Sequence, residues 1–371
     1  MIMLGGMDGG PSELLLRSAL EACALDAAET ALASGAVERA LLLADRAPAL
    51  ALPDGVELEV DPAGPTFQFG DVLADAIRRH RLTRLVYAGG GSAPLFTADD
   101  WRALTGVLGV RGQARCITNN RFSADLFSLR PAALLRDLDP APRTDNAVPR
   151  RLAEEHGVAV VELPRTVETQ FNLDTPTDLV TLALCGRGGP RLRKVLRQAR
   201  LDTSRVSEAS RVFVDRTKQA LVAGRVSSRT WGYLETQAAC RVRVLSEERG
   251  MQSAGTDTTG TARSLLGQWI ATAGPARAFG ELLPEICDAA FIDLRPALVQ
   301  LGIRASRADR FAADLGQVGV IEDPVLRQIV AAAATSPVPV VLGGHSLVGG
   351  CLQLLNQWAW DEHDRLAGRR R

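Results

Sequence analysis

The sequence predicts an α/β protein. Residues 1–185 read as a mostly parallel sheet covered by helices in three layers, and residues 186–371 as a second, mainly α-helical domain. Three observations predict this. Short apolar runs alternate with helix-period runs through the first 185 residues, as they do in a parallel sheet with crossover helices. The glycine- and proline-rich break "CGRGGP" interrupts that alternation, and helix-period runs dominate beyond it. The chain has 371 residues, and at about 100–200 residues per domain two domains are expected.

Taken in order, "MIML" is a short apolar strand that runs into a glycine loop. "SELLLRSALEACALDAAETALASG" is helical, with Leu16, Leu20, Ala24 and Ala27 near a 3.6 period and Gly35 as the stop. "ERALLLAD" reads as a buried strand and "VELEV" as an alternating one. "FGDVLADAIRRHR" is a helix, and "TRLVYAGGG" a strand entering a second glycine loop. "TADDWRALTGVL" opens a helix with Thr97 as cap and acids in its first turn. "ARCITNN" is a strand, "RPAALLRDL" and "AVPRRLAEEHG" are short helices, "VAVVELP" is a strand and "TDLVTLALCG" a helix. Before that last helix, "NLDTPTD" supplies Thr175 as N-cap, Pro176 at the first helical position and Asp178 at the positive end of the helix dipole. In such sheets ligands bind outside the carboxyl ends of the strands. The loops at Gly5–Gly10, Gly89–Ser92, Asn119–Asn120 and Asn172–Asp174 are therefore expected along one edge.

The second part reads as helices: "SEASRVFVDRTKQALVAG", "TWGYLETQAACRVRVLSEERG", "TARSLLGQWIATAG", "ELLPEICDAAFIDLRPALVQLG", "SRADRFAADLG" and "DPVLRQIVAAAA". An apolar "VPVVLGGHSLVGGCLQLLNQWAW" and an exposed charged end follow.

Composition narrows the function classes. Hydrophobic residues make up 46% and charged residues 23%, and 43 basic residues balance 43 acidic ones. No net field draws nucleic acid or a membrane, so neither is expected as a partner. Composition gives no oligomeric state. The lysines are Lys194 and Lys218; the other basic residues are arginine. The six cysteines are scattered without zinc spacing and read as small buried thiols in a reducing compartment. "MIMLGGMDGG" lacks a basic n-region and a long apolar run, and no apolar stretch approaches the length of about 20 residues that spans a bilayer. The expectation is a cytoplasmic protein.

Four segments carry a family resemblance. "LGGMDGG" after the first strand resembles the start of the MobA-like nucleotidyltransferases, a superfamily that includes molybdenum-cofactor and phospholactate guanylyltransferases. "LASGAVERALLLAD" is similar to their second strand and its preceding helix. "VYAGGGSAPLFTADDWRAL" resembles their "GD-x-P-L" segment, and "FNLDTPTDL" their closing "D-x-D-T-P-E-D-L". The likeness covers residues 1–185. It implies a nucleotide-diphospho-sugar transferase-like fold. It also implies transfer of a nucleoside monophosphate from a nucleoside triphosphate to a small phosphorylated acceptor, with magnesium.

That chemistry needs a glycine loop whose N–H groups approach the phosphates, a carboxylate-held magnesium ion, and cations on the β- and γ-phosphates. The resemblance places Gly5, Gly6, Gly9 and Gly10 in the loop; a tight strand-to-helix turn is the other reading of the same glycines. Gly91 and Ser92 fall in the second nucleotide-binding segment, with Ser92 where the family has aspartate. A turn-capping role for Ser92 competes with ligand binding. Asp174 is placed as the metal-binding carboxylate, against duty in a turn and cap. Residues 1–193 contain no lysine, so Arg17 is the candidate phosphate cation, against an exposed helix residue. Gln68, between two phenylalanines, is a candidate to read a nucleobase edge. Asn119, Asn120 and Arg121 at a strand end suit an acceptor pocket, though asparagine is also a common turn former.

In the second part, "RGMQSAGTDTTGTARSLLG" (249–267) is rich in Gly, Ser and Thr and reads as an anion nest or a mobile loop. "GGHSLVGG" (343–350) does not match a nucleophile elbow and reads as a close-packed glycine turn with a satisfied histidine. Three functions stay open: an active nucleotidyltransferase, a catalytically degenerate nucleotide- or sugar-phosphate-binding or scaffold protein, and an independent site in the C-terminal half.

Overall fold

A computed structural model describes residues 1–7, 9–60, 67–106, 113–251 and 255–368. Asp8 of the first glycine loop, residues 63–66 ahead of Gln68, residues 107 and 108 at the end of the "TADDWRALTGVL" helix, and residues 252–254 of the 249–267 loop lie outside the described residues. No described helix is long and apolar enough to cross a membrane. The chain forms two compact units. One holds Met1–Met7, Arg17–Asn172 and Gly188–Val195; the other holds Asp8–Leu16, Leu173–Arg187 and Leu196–Arg371.

The first unit is an α/β structure on a seven-stranded sheet. Its strands are β1 Ile2–Leu4, β2 Ala40–Ala44, β3 Val56–Val60, β4 Leu85–Gly89, β5 Arg115–Thr118, β6 Leu126–Arg130 and β7 Ala159–Glu162, in the order β3-β2-β1-β4-β6-β5-β7. The pairs β1–β2, β1–β4, β2–β3 and β5–β7 are parallel, and β6 runs antiparallel to β4 and β5. Leu4 pairs with Ala44, and Met3 with Gly89, so the ends of β1, β2 and β4 share one edge. Because β6 is reversed, its first residues lie at that same edge.

Local chemistry explains the elements. Phe69, Leu73, Ala76 and Ile77 recur on one face of the helix Phe69–Arg79 and are buried. Their core includes Tyr87, which lies edge-on to Phe69 at 5.3 Å and stacks on Phe127 at 5.0 Å between ring centroids. Helix Ala98–Thr105 carries the expected capping box between Thr97 and Asp100. Gly35, at φ 71°, follows the end of helix Pro11–Ala33. "RPAALLRDL" forms a 3-10 turn over Ala132–Asp137 rather than an α-helix. Strand β6 is absent from the sequence reading because "LFSLR" follows directly on a polar turn.

The second unit corrects the expectation of a mainly α-helical domain. It contains a four-stranded parallel sheet, with β8 Gln219–Gly224, β9 Arg241–Ser246, β10 Ala289–Asp293 and β11 Val340–Gly343 in the order β11-β10-β8-β9. The run "SEASRVFVDRTKQALVAG" splits into the helix Ser204–Ser210 and β8, and "TWGYLETQAACRVRVLSEERG" into the helix Ser228–Gln237 and β9. The core gathers Phe279, Ile292, Leu326, Ile329 and Leu342, and Phe213 stacks on Phe291 at 5.1 Å. Every residue of β10 is buried, and burying a side chain such as Phe291 or Ile292 contributes about 1.5–3 kcal/mol. A strand covered on both faces has no alternation to distinguish it from a buried helical turn.

Candidate functional site

At the carboxyl end of β1, the first glycine loop meets the chain's own carboxylate. Gly6, at φ 80°, donates its N–H to Asp45 Oδ2 at 2.9 Å. Asp45 follows β2, and a Cβ on Gly5 would lie 3.4 Å from its Cγ. The other oxygen, Asp45 Oδ1, accepts from Arg17 Nη1 at 2.6 Å, while Arg17 Nε donates to Glu21 at 2.8 Å. Arg17 is not the exposed helix residue of the bland sequence reading. It is 2% exposed, a buried cation between two anions. Desolvation pulls the Arg17 guanidinium pKa down, but Glu21 and Asp45 outweigh it and raise the value. Desolvation likewise pushes Asp45 up, and the Gly6 N–H and Arg17 overcome it and hold the carboxyl below its ordinary range.

Gly9 and Gly10 fall in the second unit, at the start of helix Pro11–Ala33. The Gly10 carbonyl accepts from the N–H groups of Glu13 and Leu14 at 3.0 Å each. A Cβ on Gly9 would collide with the Glu13 carboxylate, which is buried and stands 3.6 Å from Arg307. An acidic side chain thus takes the position at this helix start that favours an anion.

The second loop, from Gly90 to Phe96, is buried. A Cβ on Gly90 would lie 2.7 Å from Leu4 Cδ1, so glycine is what lets this backbone approach the end of β1. Gly91 lies within that buried stretch. Ser92 is 3% exposed; its hydroxyl donates to the Asp125 carbonyl at 2.9 Å and its backbone bridges Asn172. Asn119, also buried, donates from Nδ2 to Asp125 Oδ2 at 3.1 Å and to the Thr169 carbonyl at 3.2 Å. Asn120 Oδ1 accepts from the Phe122 N–H at 3.1 Å, an Asx-type turn. The Arg121 N–H donates to Glu162 Oε1 at 2.7 Å. Gln68 is the exposed N-cap of helix Phe69–Arg79 and makes no side-chain capping bond.

The structure therefore brings Gly5, Gly6 and Arg17 together around Asp45, and Ser92 and Asn119 together around Asp125. Sequence reasoning missed both aspartates. Asp125 precedes the reversed strand β6 and so reaches the carboxyl edge of its neighbours. Burial, then repulsion from Asp145, pushes the Asp125 carboxyl up to about 7. Burial also raises Asp145, against a hydrogen bond from the Tyr87 hydroxyl at 3.0 Å. The available signal was an acid next to an apolar run in "SADLFSL", hidden by the missing strand.

Asp174 is exposed and belongs to the second unit. Its N–H donates to Asp178 Oδ2 at 2.8 Å, and Thr175 N–H donates to the same oxygen at 2.7 Å. Thr175 caps the helix Pro176–Cys185 as the sequence indicates. Asp178 is fully buried and takes further bonds from the Ser346 hydroxyl and from Cys351 Sγ at 3.1 Å. Among the described residues, no three His, Cys, Asp or Glu side chains gather as a metal site. The Ser92 hydroxyl is neutral, buried and already donating, so of these two predicted positions Asp174 alone offers a carboxylate to magnesium, an ion that takes one or two carboxylates and completes its shell with waters and substrate phosphates.

The second unit holds a charged cluster at the carboxyl edge of its own sheet. Asp293, fully buried at the end of β10, receives Arg225 Nε at 2.6 Å and Nη2 at 3.1 Å. Desolvation raises Asp293, but Arg225 outweighs it and holds the carboxyl low. Arg295, just after β10, donates to Asp314 at 2.7 Å; burial still pushes Asp314 up to about 6. At the end of β11, Gly343 and Gly344 pack as the sequence indicates: a Cβ on either would meet Leu347 or Thr175 within 3 Å. His345 is exposed. Desolvation, then the neighbouring Arg225, lowers its imidazolium pKa. The signal for this cluster was "FIDLR", an apolar run ending in an acid and a base, which the helical reading concealed.

Comparison with protein-family models finds no match, and comparison with curated proteins finds none either.

Proposed function

We propose that this protein is a catalytically degenerate relative of the nucleotidyltransferase fold, a phosphate-compound-binding or scaffold protein that does not transfer nucleoside monophosphates. The mixed, mostly parallel sheet of the first unit supports the fold that the MobA-like resemblance implies. The observation that carries the functional reading is Asp45. It takes both the Gly6 N–H and the Arg17 guanidinium, the two donors that a triphosphate would require at this loop. A buried ion pair of this geometry does not open without a substantial desolvation cost. The absence of lysine from residues 1–193 supports the same reading.

A thermal-shift series with the four common nucleoside triphosphates, each with and without magnesium, tests the proposal. The expected result is no magnesium-dependent stabilisation. Stabilisation by one triphosphate that requires magnesium and is lost in Asp174→Ala contradicts it. One observation favours the second reading, an active magnesium-dependent enzyme. Asp125 and Asp145 are neighbouring buried acids with no ion pair to a described basic residue, and Ser92 bonds to the Asp125 backbone.

A further inference from the structure

We propose that a cavity beside β11 in the second unit binds a small aliphatic carboxylate, a monoanion whose head meets Arg205 and whose chain lies against the apolar walls. The inference stands on the second unit alone and does not rest on the degenerate reading of the first.

The cavity has a volume of about 390 Å³, and every residue that lines it belongs to the second unit. Pockets for small molecules commonly run from about 300 to 1,000 Å³. Several elements build its walls. Thr177 and Val180 come from helix Pro176–Cys185, Val206 from Ser204–Ser210, Val330 from Pro324–Ala334, and Val341 and Leu342 from β11. All of these are buried. Arg200, Asp202, Gln317 and Ala334 line the same cavity and are exposed, so they mark its mouth.

The strand at this wall favours a small molecule over a peptide. β11 lies at the edge of its sheet and pairs with β10, and a free strand edge invites a further strand. Two side chains of the lining take that edge instead. Arg205 donates from Nε to the Val340 carbonyl at 3.2 Å and from Nη2 to the Ala333 carbonyl at 2.7 Å. The Thr177 hydroxyl donates to the Leu342 carbonyl at 2.8 Å. The carbonyls that a docking strand would use are therefore occupied. The same bonds fix the Arg205 guanidinium. Its partners are neutral main-chain groups, and among the described residues it makes no ion pair and Nη1 makes no hydrogen bond. A guanidinium held in this way takes an anion with little further loss of side-chain freedom.

Charge and wall chemistry select the ligand class. The charged residues of the lining are Arg200, Arg205, Asp202 and Asp314. Asp314 is answered by a full positive charge, the Arg295 guanidinium at 2.7 Å. Asp202 is a full negative charge and offsets one arginine. One positive charge remains, which suits a monoanion. A phosphomonoester, at about −1.5 to −2, brings more negative charge than the lining compensates. Among the described residues that line the cavity none is aromatic, so nothing there stacks on a nucleobase. The buried walls are aliphatic, and each CH₂ moved onto them from water favours binding.

Calorimetric titration of the full-length protein with hexanoate, octanoate and decanoate, kept below the concentrations at which they aggregate, tests this. The expected result is one saturable site whose affinity rises about fourfold with each added CH₂. Octan-1-ol, which lacks the charge, is expected to bind about tenfold or more weakly than octanoate. Arg205→Gln keeps an amide donor for the two carbonyls and removes the charge. Ala334→Trp, at an exposed position, fills the mouth. Each is expected to weaken octanoate about tenfold or more, and Ala334→Trp carries the test alone if Arg205→Gln fails to fold. No saturable binding of any of the three acids at millimolar concentration overturns the proposal. So does octanoate binding that the folded variants retain at wild-type strength, which places the ligand elsewhere. Octan-1-ol binding as tight as that of octanoate overturns it too, because the charge then selects nothing.

Discussion

The Arg17 guanidinium meets the Asp45 carboxylate at 2.6 Å, with Arg17 almost wholly out of solvent. This pair joins helix Pro11–Ala33 to the end of β2, and through the Gly6 N–H it also fixes the turn after β1. Asp45→Ala removes one of two anions that compensate a buried cation. Breaking a buried pair from one side costs about 3–5 kcal/mol, and the exposed flank of Asp45 places this case at the lower end. The expected outcome is a lower urea midpoint, corresponding to a loss of about 3 kcal/mol of stability, with a smaller loss in Asp45→Asn, which can still accept from Gly6.

Asp125 gives the protein a pH dependence of definite sign. Its carboxyl ionises near 7 in the folded chain and near 4 in an unfolded one. Between those values the folded state holds a proton that the unfolded state has released. The stability tied to this group is greatest below about pH 4 and is lost as pH rises through about 7. Asp125→Asn removes that term. Urea denaturation of both proteins near pH 5 and near pH 8 is expected to show the variant gaining on the wild type at the higher pH. An equal difference at both values contradicts the assignment.

Gly224 provides a packing prediction. Its φ of 114° and its contact with the Asp293 backbone leave no room for a methyl group. Gly224→Ala is expected to cost about 2–3 kcal/mol through crowding and backbone strain. The same change at Gly280, where a Cβ meets nothing within 4 Å, stays within about 0.5 kcal/mol. Thermal or urea unfolding of the two variants checks both.

How much of this was legible follows the physical signals. The capping box at Thr97, the Thr175–Pro176 helix start and the stop at Gly35 are local chemistry, and each stands where the sequence puts it. The strands of the second unit are four to six residues long and lie against helix-period runs. Those like β10, buried on both faces, carry no period of their own. Strand β9 did carry one: Val242 and Val244 alternate with Arg241 and Arg243 on an edge strand. For the site, the sequence indicated that Gly6 and Arg17 mattered but not that Asp45 would bind both. Nor did it indicate that Asp125 would reach Ser92 and Asn119, because that depends on the reversal of β6. Partners brought together by topology leave no trace in local spacing.

The degenerate reading proposed above holds that this protein performs no nucleotidyl transfer. Pyrophosphate release is its most direct measure, followed by phosphorus NMR with each nucleoside triphosphate, magnesium and a mixture of small phosphorylated acceptors. The account predicts no release above the protein-free control. Release that depends on the protein and disappears in Asp174→Ala would contradict it.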